Sequence, residues 1–109
     1  MQRTLKKEIT IEGIGLPSGC KVKLVLKPAP TGSGIVFKRT DIESHPEIKA
    51  LYSNVVDTRN CTCLGDKDGH LVSTIEHLMS ALRVCGIDNV LIETNNQEIP
   101  IMDGSGKPF

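Results

Sequence analysis

The chain has no tryptophan, one tyrosine and two phenylalanines among its 109 residues. So few aromatics leave little surface for stacking bases, which argues against a nucleic-acid partner. Any core must therefore be aliphatic. No apolar run approaches the roughly 18 residues that a membrane span needs, so no transmembrane segment is expected. The stretch MQRTLKKEIT carries charges with no apolar segment behind them. It does not read as a secretory signal, and a cytoplasmic location is the expectation. Low-complexity tracts are missing too. With 39% hydrophobic and 24% charged residues, the composition is that of a folded chain of about one domain.

Net charge is zero, but the signs are unevenly spread. Residues 1–39 hold eight Lys and Arg against Glu8 and Glu12, while the remainder holds five basic residues against eleven acids. Such asymmetry can mark a surface for anions. The plainer reading is that the lysines solvate the outer faces of strands. Four cysteines are present, Cys20, Cys61, Cys63 and Cys85. Without an export signal they read as reduced thiols.

Alternation identifies the strands. Leu5, Ile9 and Ile11 fall on one face of residues 4–12, and Val22, Leu24 and Leu26 on one face of 20–27, with Lys21, Lys23 and Lys27 opposite. The glycine-rich connection between them predicts an antiparallel pair, and residues 34–38 form a third strand. Residues 41–53 admit a short helix or an irregular insert. Residues 54–64 read as one or two short strands, followed by a turn at 65–69 and a hairpin partner at Leu71-Val72. One helix is expected over 74–85. Ser73 with Glu76 has the form of a capping box, and Gly86 stands where a C-terminal glycine belongs. Ile75, Leu78, Met79, Leu82 and Cys85 recur at helical spacing. A further strand follows at 89–93, and a short extended piece at 99–101. Strands with one helix covering a sheet face predict an α+β two-layer sandwich, mostly antiparallel.

The glycines Gly13, Gly15 and Gly19 do not make a dinucleotide fingerprint, because Ser18 stands at the third glycine position and a strand follows instead of a helix. Glu76-His77 is more informative. At about 100° per residue both point away from the apolar stripe, in the first helical turn. A neutral imidazole can ligate a metal, and a neighbouring carboxylate can serve as general base toward water. The competing reading makes Glu76 nothing more than the partner of the Ser73 N–H. One histidine cannot complete a zinc site. Cys61-x-Cys63 with His70 and His77 has the composition of a structural zinc site, but its cysteine spacing is unusual for one. His45 reads as a surface residue.

The run Ser73–Leu82 resembles the helix signature of the zinc-dependent UDP-3-O-acyl-N-acetylglucosamine deacetylases of lipid A biosynthesis, the LpxC family. Four other stretches agree in order: Gln2–Lys6, Gly34–Asp41, Cys61–Leu64 and Gly86–Val90. A fifth, Glu98–Ser105, is especially specific. The resemblance implies two related α+β domains with the active site between them, of which residues 1–109 are similar to the first, with the second absent. It implies Glu76 as general base and His77 as a zinc ligand, with a His and an Asp ligand and a His general acid on the second domain. Asn60 and Cys61 become candidate neighbours of the UDP-linked substrate, and the 109-residue chain alone is expected to be inactive. Asp103 suits a structural role at its turn better than a functional one. Pro17 departs from the family, whose first turn usually carries a histidine there, so any substrate contact by that histidine is lost. The alternative is a free-standing, non-catalytic binding or assembly domain in which Glu76 is only a cap.

Overall fold

A computed structural model describes residues 2–14, 21–51, 54–57, 62–66, 68–73, 75–97 and 99. Among these residues, eight strands and one helix are arranged as an α+β fold. The strands are β1 (Ile9–Ile14), β2 (Lys21–Pro28), β3 (Ile35–Arg39), β4 (Glu47–Lys49), β5 (Val55–Asp57), β6 (Thr62–Gly65), β7 (Leu71–Ser73) and β8 (Val90–Thr94), with α1 (Glu76–Val84) between the last two. β1, β2, β8, β3 and β4 form a five-stranded sheet in that order, and β5, β6 and β7 a second, three-stranded one. Within the larger sheet only β3 and β8 run parallel. A parallel pair needs a long crossover, and here the crossover contains β4 through α1.

The period-two pattern becomes burial. Val22 and Leu24 are fully buried and Leu26 is 1% exposed, whereas Lys21 and Lys23 on the opposite face stand in solvent. Phe37, Val90 and Ile92 complete the inner face of the sheet, and Leu78 and Leu82 of α1 pack into the same cluster with Leu64 and Val72 of the smaller sheet. Each such side chain contributes roughly 1.5–3 kcal/mol when fully buried. The outer lysines behave as strand solvators. Lys27 Nζ lies 3.2 Å from Glu93 and 4.0 Å from Glu8, and Lys21 lies 3.8 Å from Glu12.

Several sequence boundaries move. The first strand begins at Ile9 instead of residue 4, because the preceding residues are tied elsewhere. The Arg3 carbonyl accepts the N–H groups of Asp88 and Asn89, and the Thr4 hydroxyl accepts that of Ala29. The undecided segment 41–53 contains β4, whose Ile48 is 1% exposed. Cys85 leaves the apolar stripe. It is the C-cap residue and is exposed, since the helix has ended at Val84. Gly86 fulfils its expected role with φ of 71°. Its N–H donates to the Arg83 carbonyl and that of Ile87 to the Leu82 carbonyl, both at 3.0 Å, which closes a Schellman motif.

Candidate active site

α1 is delivered by β7, and its start differs from the expected one. Ser73 is the last residue of β7 and is 6% exposed. Its N–H donates to the Gln97 carbonyl at 2.8 Å, and its carbonyl accepts the Ile99 N–H at 3.0 Å. The capping box therefore does not form. Ile75 is the N-cap, in a helical conformation and with no side-chain capping bond, and α1 begins at Glu76 instead of residue 74. The pair of bonds to Gln97 and Ile99 wins because it satisfies both backbone groups of a buried residue at once.

Glu76 and His77 are both exposed, while Ile75 and Leu78 on either side are 5% and 1% exposed. The sequence expectation that the pair points away from the core is met. The Glu76 carboxylate stands in the first turn, where it complements the positive end of the helix dipole. Along the same side, Ser80 and Arg83 follow one and two turns later. With Met79, Ile35 and Ile87, Ser80 and Arg83 line an open cleft of about 740 Å³, and neither Glu76 nor His77 is among its lining residues. Asn60 and Cys61 lie outside the described residues, as do Pro17 and Asp103. The strand that follows Cys61 is β6, in which Cys63 is 2% exposed.

The cysteine–histidine array is not assembled among the described residues. The one group of three metal-capable side chains found there is Asp66, Asp68 and His70, with ligand atoms within 4.8 Å of one another, and it includes neither Cys63 nor His77. Its geometry is that of the β6–β7 turn. Asp66 Oδ1 accepts the N–H of Asp68 at 3.0 Å and of His70 at 2.9 Å, and Oδ2 faces His70 Nδ1 at 3.0 Å. Burial alone would raise the Asp66 pKa, but the hydrogen bonds from the His70 ring and from the two N–H groups outweigh it and hold the carboxyl below its ordinary value. The alternation of polar residues at 66, 68 and 70 was the available signal for this cluster.

A second feature that sequence reasoning passed over is Arg39, 9% exposed at the end of β3. Its Nε and Nη2 donate to the two oxygens of Asp41 at 3.1 and 2.6 Å, and Nη1 donates to the Leu71 carbonyl at 3.2 Å. The alternation Phe37-x-Arg39, which puts both on the inner face, was its signal.

The sequence model of the family described as "LpxC: UDP-3-O-acyl N-acetylglycosamine deacetylase" matches residues 2–109. Curated UDP-3-O-acyl-N-acetylglucosamine deacetylases are similar throughout: that of Myxococcus xanthus is 54% identical and that of Pseudoalteromonas atlantica 51%, each over 99% of this chain. The Haemophilus ducreyi protein of the same name is also 51% identical over that span. The chain covers 34–36% of these relatives, about a third of their length. No described helix is long and apolar enough to cross a membrane. With a match that runs from Gln2 to Phe109 and takes in β7 and the Glu76-His77 turn, this chain belongs to the family of UDP-3-O-acyl-N-acetylglucosamine deacetylases.

Proposed function

We propose that the chain is the first domain of a zinc-dependent deacetylase that removes the N-acetyl group from UDP-3-O-acyl-N-acetylglucosamine, in the cytoplasm, during lipid A synthesis. The observation that carries this reading is the exposed Glu76-His77 pair on the first turn of α1, opposite the buried stripe, in a chain of this family. A catalytic zinc takes three protein ligands. His77 offers one imidazole and belongs to no group of three among the described residues, so the donor set fits one ligand of a site shared with a second domain. Bound there, zinc would polarise the amide carbonyl and ease loss of a proton from water.

The protein's own contribution is positional and basic. α1 is seated on the core through Leu78 and Leu82, so His77 is presented from a rigid element. The Glu76 carboxylate, its immediate neighbour, takes a proton from the attacking water on one of its Oε atoms. Asn60 and Cys61, just before β6, would lie against the substrate. A histidine of the second domain would protonate the leaving amine. The gene tests this reading directly. A reading frame that continues past Phe109 into a domain with a His-x3-Asp pair supports it, and a stop codon there favours the non-catalytic alternative.

A further inference from the structure

Arg39 of β3 reaches β7 of the smaller sheet, and its side-chain hydrogen bonds to described residues are of two kinds. The two to Asp41 are local, between residues two apart at the end of one strand, so they tie no distant parts of the chain together. What a fork of this kind does is fix the plane of the guanidinium. With that plane fixed, the third nitrogen, Nη1, is aimed at the carbonyl of Leu71, the first residue of β7. β7 is also held by β6 through its ladder and by Gln97 and Ile99 through Ser73. Three residues beyond its end, α1 begins at Glu76.

A buried ion pair is weak evidence for stability, because apolar residues of similar volume often serve as well. The arrangement around Arg39 instead constrains position. We propose that Arg39, aimed by Asp41, is a positioning residue. By holding the Leu71 carbonyl it fixes β7, and with it the place from which Glu76 and His77 are presented. The inference rests on the reading of Glu76 as base and His77 as ligand.

The test uses the full-length protein and compares Arg39→Met, Arg39→Lys and Asp41→Asn with Glu76→Ala, measuring kcat and KM separately, zinc retention against a chelator, and thermal melting. Small displacements of catalytic groups can cost about 100-fold. Both Arg39 variants are therefore expected to lose about 10–100-fold in kcat with KM within about threefold. Zinc is expected to be held about tenfold less tightly, as when a ligand loses its support. Asp41→Asn, which keeps the guanidinium but loosens its aim, should fall between them and the unaltered protein. If Arg39→Met fails to fold, Arg39→Lys and Asp41→Asn carry the comparison, since both retain a cation and a long stem at position 39. Unaltered kcat and zinc retention in folded Arg39 variants, beside an inactive Glu76→Ala, would overturn this inference alone. Normal turnover in Glu76→Ala would overturn the functional reading, and this inference with it.

Discussion

The Asp66 carboxylate clasps His70 twice. One oxygen of the Asp66 carboxylate accepts the His70 N–H at 2.9 Å, and the other faces the imidazole Nδ1 at 3.0 Å. The pair closes the turn between β6 and β7, so it fixes where β7 starts and how Leu71 meets Arg39. A turn at the far end of a hairpin is thereby linked to the strand that leads into α1.

That clasp gives stability a pH dependence. Folding lowers the Asp66 pKa, so its contribution is complete above the ordinary aspartate value of 3.8 and is lost as pH falls through the lower folded value. Asp66→Asn is expected to destabilise the chain by about 1.5–3 kcal/mol near neutral pH, the range for a hydrogen bond to a charged group. The gap from the unaltered chain should close in strong acid. Urea unfolding followed from neutral pH downward checks this, and a gap that stays constant in acid would contradict it.

Glu76→Ala in the full-length protein is expected to lower turnover by about 10²–10⁴, the usual range for a lost general base. The loss of turnover should far exceed any loss of stability that comes from helix capping, because Ser73 gives its N–H to Gln97 and not to Glu76. Steady-state kinetics beside a melting curve separates the two effects. Normal turnover with a much lower melting temperature would make Glu76 a structural residue.

His77→Ala should weaken zinc binding in the full-length protein and leave folding intact. The side chain is exposed, so its removal opens no cavity in the core. Circular dichroism and metal analysis on one preparation give both readings. Unfolding on substitution would instead show a histidine needed for packing.

The 109-residue chain on its own is expected to fold, yet neither to hold zinc tightly nor to deacetylate. The core supplies folding through a sheet face covered by α1 and the smaller sheet. Tight zinc at His77 is not expected, since one imidazole stands there where three protein ligands are needed. Metal analysis after washing with chelator decides the matter. One retained equivalent would point to a complete local site.

Packing predictions separate the two faces of α1. Leu82→Ala is expected to cost about 2–5 kcal/mol, because Leu82 is 2% exposed within the main cluster. Val84, 87% exposed, should tolerate alanine within about 0.5 kcal/mol. Chemical denaturation of both variants tests the orientation of the helix, and equal losses would mean that it is seated differently.

The strands β1, β2, β3 and β8 were legible because the side-chain period of a half-buried strand is written directly into residues such as Val22, Leu24 and Leu26. The end of α1 was legible for a similar local reason, as Gly86 needs a positive φ that other residues resist. The exposure of Glu76 and His77 followed from helical spacing alone. What the sequence could not decide is where Ser73 sends its N–H. A local capping box and a bridge to Gln97, far along the chain, both satisfy that group, and only the assembled tertiary structure brings Gln97 and Ile99 to it. Arg39 is the same kind of case. Its alternation places it inward with Phe37, but a buried guanidinium needs partners, and the Leu71 carbonyl becomes one only when the fold brings β7 within reach of the Arg39 side chain. Local periodicity is a property of consecutive residues and survives reading along a line. Partner choice among polar groups depends on which distant backbone the fold delivers, and that is settled by the packing of the whole chain.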